Sequence, residues 1–588
     1  MAVTESLAEE AHGPAGAVHE GILRRQSARE SSARTYARAL PIVPVRARGL
    51  TIEGADGRRY LDCLSGAGTL ALGHNHPVVL AAVRQVLDSG APLAVLDLAT
   101  PVKDAFITEL FRTLPPGLAG RARVQFCGPA GTDAVEAALK LVRTATGRSG
   151  VLAFTGAYHG MTAGALAVSG GAPELQAARL PYPQDYRCPF GVGGPHGAEL
   201  AARWTESLLD DPKSGVPLPA GMILEPVQGE GGVLPAPDDW LRRMRRLTAD
   251  RGIPLIADEV QTGVGRTGAF WAVDHSGITP DVMVLSKAIG GSLPLAVIVY
   301  RDDLDVWQPG AHAGTFRGNQ LAMAAGTATL AYVRENGLAE RAARLGTRLM
   351  EQLRADIGGL ACVGEVRGRG LMIGVELVEP EGTREPAFGA GSAAVGRGGA
   401  EPLDHGFAAG PSGGGSNGSN GSYDPSAAAS GMKPGAYDFG AAPSGGERAA
   451  YDSGAVPSGG ERGAYGFGAV PSGGERGAHG PGAAPFETRP GAYDFGAAPA
   501  RAPRPAAPRL AAAVQRECLR RGLIVELGGR HSSVVRLLPP LTISDEQTAA
   551  VLDRLTDAVA AVARADERHG PHGARGHDSG PCPGPGTD

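Results

Sequence analysis

The chain has 588 residues, 43% of them apolar and 20% charged, enough to bury a sizeable core and more than one ordinary domain holds. Its formal net charge is −5 and the basic residues are scattered rather than striped, so neither nucleic acid nor an anionic membrane surface is expected as a partner. Cys63, Cys127, Cys188, Cys362, Cys518 and Cys582 lie far apart without CxxC spacing, which argues against a disulfide framework or structural zinc and for a reducing compartment.

Residues 1–26 carry Glu5, Glu9 and Glu10 without a continuous apolar run. They read as a disordered N-terminus rather than a signal peptide. No later run is long enough to span a bilayer, and the cytoplasm is the expected location. Residues 27–100 form the N-terminal part of a small domain. There, TIEGADGRRYLDCLSG predicts a β hairpin turned at Ala55–Gly57, followed by a glycine-rich loop and a helix over Pro77–Ser89. Over residues 101–335, helical patterns (DAVEAALKLVRTAT, PDDWLRRMRRLTADRG) alternate with short strands (GVLAFTG, AGMILEP, IPLIADE). That rhythm predicts a large α/β domain with a mostly parallel sheet.

Residues 336–381 and 506–564 combine helices (Glu340–Leu353, Leu510–Arg521) with strands (LMIGVELV, GLIVELGG, SVVRLLP), as two parts of a smaller α+β domain. Between them, residues 382–505 are dominated by Gly, Ala, Pro and Ser and carry a 14-residue unit, GAYDFGAAPSGGER, marked by Tyr437, Tyr451, Tyr465, His479 and Tyr493. Such a composition cannot bury enough apolar surface to fold, so a long disordered insert is expected. Its closure is cheap, because each doubling of loop length adds only about 0.6 kcal/mol. The repeats are either a passive expansion or a tyrosine-mediated assembly device, and the latter is the non-enzymatic reading of the chain. Residues 565–588 read as a disordered tail in which His569, His572, His577 and Cys582 are solvated, and no metal site is expected.

Chemistry concentrates where apolar strands end in ionisable residues. Val282–Leu285 runs into Lys287 and Ile253–Ala257 into Asp258, at the edge where a parallel sheet opens to its ligand. An amine that sheds its proton in a desolvated pocket can form a Schiff base, and a carboxylate opposite can keep a pyridine nitrogen protonated so that the ring draws electrons. Gly131 and Thr132, before the helix DAVEAALKLVR, offer free amides and a hydroxyl to a phosphate. The same stretch also reads as a plain helix cap, with Asp133 and Glu136 spaced like a capping box. Gly263, Gly265 and Gly268 satisfy GxGxxG after a strand, but no amphipathic helix or distant acid follows, so dinucleotide binding is not expected.

Six segments in order, CGPAGTDAVEAALKLVR, FTGAYHGMTAG, ILEPVQGEGG, PLIADEVQTGVGRTG, VLSKAIGG and HAGTFRGN, make the chain resemble the class III pyridoxal-phosphate aminotransferases of fold type I, and among them the diaminobutyrate:2-oxoglutarate aminotransferases. The resemblance implies pyridoxal 5'-phosphate as cofactor, with Lys287 and Asp258 catalytic. It places the phosphate at Gly131 and Thr132, and the pyridine ring between Tyr158, next to His159, and Val260. Gln261 would reach the ring hydroxyl, and Thr315 would cross to the neighbouring subunit's phosphate in a homodimer. Arg536 would grip the substrate α-carboxylate and Glu230 would mask that arginine, with Glu225 structural. Met161 stands where several relatives carry an arginine for the distal carboxylate of 2-oxoglutarate, leaving Arg317 as a candidate for that task. The implied reaction moves an amino group between L-glutamate and L-aspartate 4-semialdehyde, giving L-2,4-diaminobutyrate, a precursor for siderophores, ectoine or peptide antibiotics. The enzymatic alternatives are transfer to ornithine, acetylornithine, lysine or 4-aminobutyrate substrates, or an aminomutase.

Overall fold

The computed structural model describes residues 15–171, 177–380 and 503–569. The repeats and the insert up to residue 502, the first fourteen residues, and His572, His577 and Cys582 lie outside the described residues. The start of the chain departs from expectation, because α1 (Ala15–Arg29) is a helix. Ala, Leu and Arg favour it and Glu20 meets Arg24 at i,i+4 at 3.6 Å, local gains that need no apolar stripe.

Strands β1 (Pro44–Arg48), β2 (Thr51–Gly54) and β3 (Arg59–Asp62) form an antiparallel sheet, with Gly57 at φ 76° in the turn between β2 and β3. Helices α2 (Pro77–Asp88) and α3 (Pro101–Phe111) follow, each opened by a proline whose missing N–H costs nothing there.

A seven-stranded sheet then builds up. In chain order its strands are β4 (Ala122–Phe126), β5 (Val151–Phe154), β6 (Ala177–Leu180), β7 (Gly221–Leu224), β8 (Leu255–Asp258), β9 (Val282–Leu285) and β10 (Val297–Arg301). The spatial order is β4-β10-β9-β8-β7-β5-β6. All neighbours are parallel except β10, which runs against both β9 and β4. Strands β5, β7, β8 and β9 are buried at every residue, as a sheet covered on both faces requires.

Helix α4 (Gly131–Thr146) covers one face with Ala134, Val135, Ala138, Leu141 and Val142, and ends at Gly147 in the left-handed conformation. Helix α5 (Asp238–Asp250) packs on the sheet through Trp240, Leu241, Met244 and Leu247, with the Trp240 ring 5.2 Å from Phe154. Its arginines remain on the outer side.

Helices α6 (Gln320–Glu335) and α7 (Leu338–Ile357) lead into β11 (Val363–Arg369) and β12 (Met372–Leu377). Beyond the insert come α8 (Pro508–Arg520), β13 (Leu523–Ile524), β14 (Glu526–Gly528), β15 (Val534–Leu537) and α9 (Asp545–His569). A four-stranded sheet of order β11-β12-β15-β14 joins both sides of the insert. In contrast, β13 leaves that sheet and pairs parallel with β3, so the N-terminal and C-terminal pieces interlock.

The expected boundaries at residues 505 and 565 both shift. Glu379 N–H donates to the Pro505 carbonyl at 2.9 Å, so residues 503–505 belong to the folded body. Helix α9 continues to His569 because Val551, Leu555, Ala558, Val559 and Ala563 keep helical spacing on a buried face, and Arg509 pairs with Asp566 at 3.7 Å.

Candidate active site

Three strands deliver their chemistry to one edge of the central sheet. Strand β8 ends at Asp258, β9 runs into Lys287, and the turn after β5 carries Tyr158 and His159. Register pairs Asp258 with Val284, so the carboxylate and the amine lie on neighbouring parallel strands. A cavity of about 260 Å³ opens there, lined by Gly131, Thr132, Tyr158, His159, Met161, Glu225, Glu230, Asp258, Val260, Gln261 and Lys287 among others. The structure therefore brings together all the expected residues except Arg536, which stands behind Glu230, and Thr315.

Asp258 is held from two sides: its Oδ1 accepts from Val260 N–H at 3.0 Å, and its Oδ2 meets His159 Nδ1 at 2.7 Å. His159 is wholly buried. Burial opposes a charged imidazole there, but the hydrogen bond and charge of Asp258, with Glu225 behind, outweigh it and raise the His159 pKa. His159 thus contacts the carboxylate, while Tyr158, 41% exposed, stands at the cavity wall.

Glu225 bridges the same turns by accepting from Tyr158 N–H and Gly229 N–H, each at 2.9 Å. Burial pushes its carboxyl up to about 7, His159 opposing and Asp258 adding to the rise.

Lys287 occupies a left-handed backbone conformation, φ 51°, at the start of a short turn closed by Gly291. Strain of this kind persists only where packing over-determines it. Burial draws the Lys287 ammonium pKa down; Glu230, Asp258 and Glu526 pull the other way without reversing it. Other left-handed non-glycine residues near this edge are Ser65 and Ala67, in the glycine-rich loop, whose Ala67 carbonyl accepts from Gln261 Nε2 at 3.2 Å. A Cβ at Gly229 would meet the Gln261 carboxamide, so a side chain there would move Gln261 from its present position.

Helix α4 opens at the far end of the cavity. Its N-cap is Ala130, which has no side-chain acceptor, so the first amides of the helix are left for an external anion. The Thr132 hydroxyl is fixed by Thr162 Oγ1 at 2.7 Å. The capping-box spacing resolves differently from expectation. Asp133 does accept from Ala130 N–H at 3.0 Å, but Glu136 turns to Thr162 Oγ1, Gly164 N–H and Ala165 N–H, capping the next helix, Ala163–Ser169. Amides at a helix start, a partly desolvated amine and an anchored carboxylate match the phosphate, carbonyl and pyridine nitrogen of pyridoxal phosphate, so the residues present fit the cofactor.

Arg536 on β15 is wholly buried. Its Nη2 donates to both oxygens of Glu230 at 2.8 Å and lies 2.7 Å from Glu526 Oε2. Burial, and then the charges of Glu526 and Glu230 beside it, push the Tyr36 phenol up. Neither Glu526 nor Tyr36 was singled out from sequence. Glu526 looked like one polar residue in an apolar strand, its alternation within GLIVELGG being the available signal, and Tyr36 sits in an undistinguished polar stretch.

Thr315 and Arg317 are not in this cavity. They line a shallow hollow with Gly128, Asp133 and Glu136, and a larger one of about 770 Å³ with Leu96, Phe126 and Trp307. The GxGxxG glycines serve packing: a Cβ at Gly263 would strike the Trp271 ring at 2.6 Å and one at Gly268 would meet Ala343 at 2.9 Å.

The family model for class-III aminotransferases matches residues 32–396, more than half of the chain. The chain belongs to the class III aminotransferases. It is 58% identical over 368 residues to a diaminobutyrate–2-oxoglutarate aminotransferase of Rhizobium meliloti (strain 1021), covering 61% of this chain and 78% of that protein. A diaminobutyrate–2-oxoglutarate aminotransferase of Haemophilus influenzae is 48% identical over 377 residues, covering 63% and 82%. Among solved structures, a PLP-bound amine transaminase from an uncultivated Pseudomonas species superposes with TM-score 0.64 at 25% identity, over 91% of this chain and 98% of that one. The fold is shared with the ornithine aminotransferase of Toxoplasma gondii, TM-score 0.61 at 21% identity, over 93% and 96%. No helix among the described residues is long and apolar enough to cross a membrane.

Proposed function

We infer that this aminotransferase binds pyridoxal 5'-phosphate and transfers the amino group of L-glutamate to L-aspartate 4-semialdehyde, forming L-2,4-diaminobutyrate and 2-oxoglutarate. The observation that carries the reading is Arg536: a wholly buried guanidinium is reached from the cavity through Glu230, so one receptor can either hold a substrate carboxylate or stay masked. The names of the two similar enzymes supply the substrate pair.

Pyridoxal phosphate, when bound, supplies the aldehyde for amine exchange and a ring that withdraws electrons. Gly131 and Thr132 would hold its phosphate by backbone amides and a hydroxyl, and Tyr158 and Val260 would bracket its ring. Asp258, fixed by His159 and Val260 N–H, offers Oδ2 and Oδ1 to keep a proton on the nitrogen opposite. Lys287 Nζ, its pKa lowered by burial, would take a proton from the substrate carbon and return it. Arg536 would align the glutamate carboxylate so that this proton faces Lys287, and Glu230 would close over the arginine when the diamine enters.

Thr315 and Arg317 lie outside their own chain's cavity, which supports a homodimer in which Thr315 serves the partner's phosphate. The free cysteines Cys63, Cys127, Cys188, Cys362 and Cys518 support a reducing, cytoplasmic setting.

Purified protein is incubated with pyridoxal phosphate, glutamate and each candidate aldehyde, and the amino acid formed is identified. Diaminobutyrate formation from aspartate semialdehyde, faster than any product from glutamate semialdehyde or succinate semialdehyde, is expected. Preference for either of those two refutes the substrate assignment.

A further inference from the structure

Arg536 is shared by two carboxylates that are not equivalent. Glu230 lies on the glycine turn 229–232, lines the cavity and has 33% of its side chain exposed. Glu526, at 9%, is built into β14 directly across the ladder from Arg536. Glu230 can leave by turning into the cavity, whereas Glu526 is buried at a register position facing Arg536. Meanwhile Arg536 Nε and Nη1 are buried without a hydrogen-bond partner, so the guanidinium keeps N–H donors unspent while Glu230 and Glu526 share its Nη2.

The charge count sets the consequence. Burial raises the Glu526 pKa against the pull of Arg536, and once Glu526 is ionised one guanidinium faces two carboxylates, a net negative cluster that resists a dianion such as glutarate or 2-oxoglutarate and attracts a diamine. If Glu526 were absent, Arg536 and Glu230 would form a neutral pair, the guanidinium would be freer to grip a carboxylate, and the diamine would lose an attraction. A buried charge is costly unless compensated, so Glu526 also keeps Arg536 from depending on Glu230 alone.

The geometry points to Glu526 as a specificity-determining residue, a fixed counter-charge that balances the site between a dicarboxylate and a diamino acid. This rests on the substrate reading above. Glu526 acts through Arg536 and is a positioning residue for the two half-reactions.

The test uses the full-length holoenzyme and the variants Glu526→Gln, Glu526→Met and Glu526→Asp, following each half-reaction separately with glutamate or diaminobutyrate. The binding of glutarate, which cannot react, is measured by calorimetry. Loss of the charge is expected to lower the KM for glutamate about tenfold, raise that for diaminobutyrate about tenfold and tighten glutarate about tenfold, with kcat moving less than about threefold. Glu526→Asp, which keeps the charge, stays near the parent ratio. Methionine, close to glutamate in length, is the second charge-free variant should the glutamine variant misfold, with Glu230 remaining as counter-charge to Arg536. Parallel shifts of both KM values, or an unchanged ratio in a folded charge-free variant, overturn the assignment. The parent protein separates the two readings: if it converts neither substrate, the substrate reading fails and carries this one with it. If it converts both while the variants keep its ratio, only the role of Glu526 fails.

Discussion

Replacing Glu225 with glutamine isolates the electrostatics of the wall behind the cavity. Burial pushes this carboxyl from 4.5 up to about 7 in the folded protein. A folded pKa above the unfolded one means that the contribution to stability is fully present below about pH 4.5 and is lost as pH rises through about 7. That displacement corresponds to about 3 kcal/mol, of which about 2 kcal/mol is lost between pH 5.5 and pH 8. Glutamine removes the titration but introduces a fixed defect. The two oxygens of Glu225 accept from Tyr158 N–H and Gly229 N–H, and a carboxamide can offer an oxygen to only one of them. The donor left facing an NH₂ group costs about 1–3 kcal/mol at every pH. Urea unfolding of parent and variant at pH 5.5, 7 and 8, with matched ionic strength and m-values compared, should therefore show the variant less stable at pH 5.5 and the gap closing by about 2 kcal/mol at pH 8. The raised pKa of His159 acts in the same direction in both proteins and largely cancels in the difference. A gap independent of pH, or one that widens, would show that Glu225 is ionised throughout and that its burial is compensated by something else.

Lys287→Ala is expected to lower transamination by about 10³-fold or more, with partial recovery on adding a small primary amine; multiple turnover at the parent rate removes Lys287 from the chemistry. Asp258→Asn should retain cofactor, measured by absorbance after desalting, yet lose about 10²-fold in kcat, and an unchanged kcat would contradict its place opposite the ring nitrogen. Gly229→Ala should displace the Gln261 carboxamide from the Ala67 carbonyl and weaken cofactor retention after desalting while changing stability by less than about 1 kcal/mol, and retention equal to the parent's would count against that contact. Excision of residues 382–502 should leave kcat within about twofold, because Glu379 and Pro505 are already joined by a 2.9 Å hydrogen bond; sedimentation of the same protein decides the assembly reading, since altered association with intact activity assigns the repeats a structural role.

Asp258 and Lys287, proposed above as the reacting pair, were legible because each stands where an apolar strand stops, and such runs leave little choice about burial or direction: β8 and β9 end where IPLIAD and VMVLSK said they would. Helix α4 was legible from the helical pattern of DAVEAALKLVRTAT. What escaped was set by long-range pairing. The parallel addition of β13 to β3 depends on a ladder spanning most of the chain, and no local pattern in Leu523–Ile524 announces which sheet it joins. Glu136 followed a tertiary contact to Thr162 in place of its own helix start. Tyr36 and Glu526 became part of the site only once β14 lay beside Arg536, and a single polar residue in a short strand carries no record of that neighbour.

The same ladder explains how a site can depend on residues from both sides of a very long insert. Arg536 is registered against Gly374 on β12 and against Glu526 on β14, so its position is fixed by strands that flank it in space, whatever their separation in sequence. The insert leaves and re-enters at one point, where Val378 bridges Ala506 and Ala507 N–H donates to the Leu377 carbonyl at 3.0 Å. That clamp joins β12 to the start of α8 through backbone hydrogen bonds among residues on either side of the insert, and with the ladder it holds the guanidinium where the cavity needs it.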